Sequence, residues 1–193
     1  MASHCEISIV IPVFNEAAGL AELLAKIHAL KLAQAEMIVV DGGSTDDSAE
    51  IALRAGANVI RHPYNIGNGA AVKSGMRAAR GRLIALMDGD GQHKPEDIPH
   101  LLAETSNYHM VVGAGSKRRL HRYATNAVYN LLASYVTRFK VEDLTSGFRV
   151  LSRRHAFRSI DLLPNTFSYP TTPLRFLWML PDSFQMQCRR AAS

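Results

Sequence analysis

Asp88 and Asp90 stand one residue apart where an apolar run, Leu83-Ile84-Ala85-Leu86-Met87, stops. Gly89 and Gly91 space them, and Gln92 and His93 follow. Two carboxylates with a glycine between can both aim oxygen at one hard divalent cation, and Mg²⁺ or Mn²⁺ prefers oxygen. The same residues also make an ordinary Asp-Gly turn leaving a strand. His93 has two readings, a helper beside the cation and a solvated loop histidine. The run before Asp88 is what a buried parallel strand looks like. Open α/β sheets bind ligands at the carboxyl ends of such strands.

The elements that must position this turn follow in order. Residues 7–14, ISIVIPVF, read as a central strand ending at Pro12. Asn15 is placed to cap the next helix, with Glu16 in its first turn. Leu20, Leu23, Leu24, Ile27 and Leu30 recur at helical spacing, which predicts an amphipathic helix over 17–30. Met37 to Val40 is a second strand, again ending in a carboxylate, Asp41. A turn over 42–46 leads into a helix to about Ala55, and Asn58 to Arg61 is a short third strand. A helix over 69–79 precedes the strand that ends at Asp88. Pro95, with Glu96 and Asp97, marks another helix start, where acidic groups favour the positive helix end. Met110 to Ala114 is a strand, 121–139 a long helix, and 148–151 a further strand. Alternating strands and helices predict a doubly wound α/β sheet.

Two glycine patterns fall short of phosphate-binding fingerprints. Gly67-Asn68-Gly69-Ala70-Ala71-Val72 lacks the last glycine of a dinucleotide motif and follows a loop. The stretch before Lys73 and Ser74 lacks the glycine of a phosphate loop. The alternative is a glycine-rich helix start packed close to a neighbour.

The 193 residues suit one domain with a sizeable core. Hydrophobic residues make up 47% and charged residues 20%, as in an ordinary globule. A net charge of +5 suits an anionic small molecule or an anionic membrane surface, and equally a solvated basic surface. No nucleic-acid partner is expected. No stretch reaches the ~20 apolar residues that span a bilayer, and the first residues lack a signal-peptide pattern. The expected location is therefore cytoplasmic. Cys5 and Cys188 read as free thiols.

Five stretches together resemble the family-2 glycosyltransferases of GT-A fold. They are ISIVIPVFNE (7–16), IVVDGGSTDD (38–47), HPYNIGNGAAVKSGMRAARG (62–81), LMDGDGQHKPEDIP (86–99) and DLTSGFRVLSR (143–153). The narrower likeness, carried by DGDGQH and DLTSGFR, is to the dolichol-phosphate mannosyltransferase and bacterial polyprenyl-phosphate subgroup. The resemblance implies a Rossmann-like, mostly parallel sheet with helices on both faces. It also implies a metal-dependent, inverting transfer of a sugar from a nucleoside diphosphate to a polyprenyl phosphate, peripheral at the inner membrane face. It places Pro12, Phe14, Glu16, Asp41 and Asp88 around the nucleotide. Relatives often carry a second Asp after Asp41, where this chain has Gly42. Asp88, Asp90 and Gln92 are implied for the Mg²⁺ or Mn²⁺, and Lys117, Arg122 and Arg149 for the phosphates or acceptor. Asp88, Asp90 and Arg149 carry the catalytic expectation. Arg118 and Arg119 beside Lys117 form a basic cluster, either facing lipid phosphate or solvated. Two other functions stay open: a nucleotide-sugar-binding module with little turnover, and an enzyme with a saccharide acceptor.

The pattern breaks after Thr172. Pro173 follows at once, and Pro181 limits any helix. The expected division is a glycosyltransferase domain over 1–172 and a divergent or truncated tail over 173–193, with the acceptor side incomplete.

Overall fold

The computed structural model describes residues 5–114, 146–165 and 186–190. The first four strands are the apolar runs: β1 (Ile7–Val13), β2 (Ala35–Asp41), β3 (Asn58–Arg61) and β4 (Leu83–Leu86). They are followed by β5 (Met110–Ala114), β6 (Arg149–Ser152) and β7 (Met186–Arg190). The seven strands form one sheet in the order β3-β2-β1-β4-β6-β5-β7. β1, β2, β3 and β4 pair in parallel, as do β5 and β7. β6 runs antiparallel to both of its neighbours. The sheet is thus mostly parallel, with one reversed strand inside it. The stretch set apart above as a tail contributes β7 to the β5 edge. The long helix expected over 121–139 lies outside the described residues.

Helices cover both faces, which is why the strands are apolar on both sides. They are α1 (Ala17–Ala29), α2 (Ser48–Arg54), α3 (Asn68–Ala78), α4 (Ile98–Glu104) and α5 (Arg153–Ser159). Alternate residues divide between two cores. Ile9, Ile11, Val39, Ala85 and Val150 join Leu20, Leu24 and Ile98 of α1 and α4. Val10, Ile38, Val40, Ile84 and Leu151 join Val72 and Met76 of α3 and Ala156 of α5. Pro12 is tolerated in β1 because the ladder to β4 already ends at the Val10–Leu86 pair.

Local details differ from the expectation at the α1 start. Asn15 does not cap the helix. It takes a left-handed φ of 57° and accepts the Thr45 N–H at 2.9 Å through its side-chain oxygen. The α1 amides are held instead by the β2–α2 loop: Asp46 accepts the Ala17 N–H at 3.0 Å, and Ser48 Oγ accepts that of Glu16 at 3.0 Å. The loops after β1 and β2 are thereby tied together. At the α3 start, the Ala70 N–H donates to the Asn165 carbonyl at 3.1 Å, and Lys73 Nζ donates to the Leu163 carbonyl at 3.2 Å. Both groups serve packing, the alternative weighed above for this glycine-rich start.

At the opposite end of the sheet, Glu36 organises a polar cluster. It accepts Ser8 Oγ–H at 2.6 Å, the Arg80 N–H at 2.8 Å and the Arg80 guanidinium at 2.7 Å. Burial pushes the Glu36 carboxyl up, but these hydrogen bonds and the Arg80 charge outweigh it and hold it below its usual range. A depressed carboxylate adds stability above its unfolded pKa and loses it as pH falls through the folded value. Glu36→Gln should therefore unfold at lower denaturant than wild type at pH 7. The difference should shrink steadily as the pH of the titration is taken well below 4.5.

Candidate active site at the carboxyl ends of β1, β2 and β4

The parallel strands β1, β2 and β4 deliver Phe14–Glu16, Asp41 and Asp88–Asp90 to one end of the sheet. β6 meets them there because it runs the other way. Its first residue, Arg149, pairs with the last residue of β4, Leu86. Ser146, Gly147 and Phe148 therefore lie beside the Asp88 turn.

The fit between these segments is close. A Cβ on Gly147 would overlap the Asp88 carboxylate, so only glycine leaves room for it there. Ser146 Oγ donates to the Gly113 carbonyl at 2.5 Å and accepts the Phe148 N–H at 3.2 Å. Arg149 is buried, and its Nε donates to the Ser146 carbonyl at 2.8 Å. Burial pushes the Asp88 carboxyl up, and Asp90 acts in the same direction; His93, a hydrogen bond from Asn68 and the Arg149 charge pull it back. Glu16 is also pushed up, by burial and then by Asp90 and Asp46. The acidic groups of three loops thus repel one another at this end of the sheet.

Asp90 is exposed and accepts the Gln92 backbone N–H at 2.9 Å through Oδ1. Gln92 is exposed as well. Among the described residues no three His, Cys, Asp or Glu side chains converge as a metal cage. The donor set nonetheless suits Mg²⁺ or Mn²⁺. Mg²⁺ is commonly bound by one or two carboxylates, with waters and substrate phosphates completing the shell. A cation here would also relieve the repulsion among Asp88, Asp90 and Glu16.

Asp41 is fully buried. Its Oδ1 accepts the Ser44 N–H at 2.8 Å. Arg61, its register partner on β3, brings Nε within 3.1 Å of Oδ2. That is ion-pair distance, yet Oδ2 makes no hydrogen bond. The two findings agree if the Arg61 N–H points off the line to Oδ2, and the geometry requires that reading. Oδ2 thus keeps an unused acceptor under a half-exposed guanidinium. Pro12 and Glu16 frame the same end, and Phe14 is 43% exposed beside them. Lys117, Arg118, Arg119 and Arg122 lie outside the described residues.

The sequence reading missed Arg61, Gly147 and Phe148. Arg61 had a signal, since the ends of neighbouring parallel strands share one sheet edge. Gly147 and Phe148 stand within DLTSGFR, but only the β4–β6 pairing shows what they touch.

The "Glycosyl transferase family 2" profile matches residues 8–161, which include every described segment of this site. The chain belongs to that family. Family-2 relatives with curated names include the undecaprenyl-phosphate 4-deoxy-4-formamido-L-arabinose transferases of Pseudomonas fluorescens and Shewanella sediminis. The first is 32% identical over 89% of this chain and 56% of its own length. The second is 34% identical over 80% and 50%. The chain thus spans about half the length of these relatives. Among solved structures, it is similar to glucosyl-3-phosphoglycerate synthase from Mycobacterium tuberculosis in complex with Mn²⁺ and UDP-glucose. The TM-score is 0.74 at 24% identity, over 97% of this chain and 70% of that one. This likeness establishes the GT-A glycosyltransferase fold for the family-2 chain.

Proposed function

We propose that this chain binds a nucleoside diphosphate sugar at the carboxyl ends of β1, β2 and β4 and transfers the sugar to a polyprenyl phosphate. One observation carries the reading: the reversed strand β6 brings Gly147 and Arg149 against the Asp88 turn. That arrangement sets two carboxylates and a buried cationic side chain at one sheet end. The names of the curated relatives support the acceptor, and the Mn²⁺ and UDP-glucose of the structural neighbour support the donor.

Asp88 and Asp90, with Gln92, would hold Mg²⁺ or Mn²⁺. A bound cation supplies Lewis-acid stabilisation of the charge that develops on the departing diphosphate. Arg149, fixed by its bond to the Ser146 carbonyl, adds a positive charge that needs no reorganisation during transfer. Lys117 and Arg122 are assigned to the acceptor phosphate. That phosphate oxygen is already an anion at neutral pH, so attack with inversion at the anomeric carbon needs no strong general base. Phe14, Pro12 and Glu16 flank the nucleotide, and Asp41 accepts a hydrogen bond from the base through Oδ2 once Arg61 swings aside.

The chain works at the cytoplasmic membrane surface. Among the described residues no helix is long and apolar enough to cross a membrane. The transferase domain is placed over 1–172, with 173–193 adding the edge strand β7 to its sheet and little to turnover.

Loss of a hydrogen bond to a charged group costs about 1.5–3 kcal/mol. Asp41→Ala should therefore weaken nucleoside diphosphate binding roughly ten- to a hundredfold by calorimetry. The overall function is tested by incubating the chain with Mn²⁺, polyprenyl phosphate and labelled UDP- or GDP-sugars. Label in the lipid phase supports it. Label passing only to an added saccharide overturns the lipid acceptor, and nucleotide binding without transfer makes the chain a binding module.

A further inference from the structure

His93 is not a solvated loop residue. Its side chain is only 15% exposed. The imidazole lies against the Phe148 ring, with centroids 5.3 Å apart and planes tilted by 36°. Its Nε2 is 3.9 Å from Asp88 Oδ2.

Phe148 is itself anchored on the Gly113 side. Its carbonyl accepts the Gly113 N–H at 2.9 Å, and its own N–H donates to Ser146 Oγ. Its ring sits so close over Gly113 that a Cβ there would overlap it. Gly147 lies so close to the Asp88 carboxylate that a Cβ there would overlap it. The imidazole therefore rests on a ring whose own backbone is tied to Gly113 and Ser146.

We infer that His93 is a positioning residue: braced on Phe148, it presents Nε2–H to Asp88 Oδ2 and fixes the carboxylate in the orientation that meets a divalent cation. The present separation exceeds a direct hydrogen bond, and catalytic contacts are often long in the ligand-free state and tighten in the complex. A water between the two atoms does the same work. Groups that orient ligating carboxylates typically change metal affinity by about 10–100-fold when removed. This role rests on the cation reading above.

The test separates the donor from the ring. Mn²⁺ is titrated into wild type, His93→Gln and His93→Phe, with UDP and with GDP in separate series, and free Mn²⁺ is followed by electron paramagnetic resonance. Gln keeps a donor near the Nε2 position and Phe keeps only the ring. The expected result is Mn²⁺ affinity within about threefold of wild type for His93→Gln and about 10–100-fold weaker for His93→Phe. His93→Leu replaces the Phe variant if that one does not fold. Wild-type affinity in the donor-free variant, or equal losses in the Gln and donor-free variants, would overturn the positioning role while leaving the cation site standing. A wild type that binds no Mn²⁺ with either nucleotide would overturn both.

Discussion

Asp90→Ala removes the cation dependence of nucleoside diphosphate binding and lowers sugar transfer on the order of a thousandfold, the scale seen when a fixed group facing developing charge is lost. Asp90 is exposed, and among the described residues the one hydrogen bond its side chain accepts comes from the neighbouring Gln92 amide. Substitution there should change folding stability by no more than about 0.5 kcal/mol. The effect therefore belongs to the site and not to the fold. Asp90 also pushes the Asp88 and Glu16 carboxyls up. Its removal lowers both towards ordinary values, so the variant without added cation should unfold no earlier than wild type. Calorimetric titration of UDP and GDP, with and without Mn²⁺, gives the first result, and a thermal melt gives the second. Affinity that still rises with Mn²⁺ in the variant would refute the assignment.

Gly147→Ala is the second large effect, and it reaches Asp88 from the other side. The new methyl would occupy the space of the Asp88 carboxylate. If that side chain swings away the stability cost is small, and if β6 shifts against β4 instead, overpacking of this kind typically costs about 1–3 kcal/mol. Transfer should fall more than about a hundredfold, because a small misplacement of a reacting group is enough for that loss. A double variant separates the two causes. Gly147→Ala combined with Asp88→Ala should recover much of the lost stability, since the clash is gone, and should recover no transfer. Urea unfolding of the four chains measures the coupling directly. Additive losses of stability would show that Gly147 does not confront Asp88.

Much of this arrangement was legible in the sequence, and the parts that were not share a physical cause. The runs that became β1, β2 and β4 are apolar on both faces, so they announce buried parallel strands, and Asp41 and Asp88 mark their carboxyl ends. The pairing of β6 with β4 leaves no local trace. Residues 149–152 read the same whether their strand runs parallel or reversed, and only the reversal puts Gly147 on Asp88. His93 looked solvated because its partner Phe148 is remote in sequence. Asn15 fits the composition of a helix cap, yet the β2–α2 loop provides the acceptors and frees Asn15 to bind Thr45. The five residues of β7, Met-Gln-Cys-Arg-Arg, are too few and too polar to announce a strand, and it joins the sheet through its backbone pairing with β5.

The central claim is that Asp88 and Asp90 hold a divalent cation where β6 meets β4. The most direct measurement is anomalous diffraction at the manganese edge from crystals grown with Mn²⁺ and a nucleoside diphosphate. One strong peak is expected within coordinating distance of a carboxylate oxygen of Asp88 or Asp90. A nucleotide bound at this sheet end with no peak beside it, or a peak at residues away from the β4–β6 junction, would contradict it.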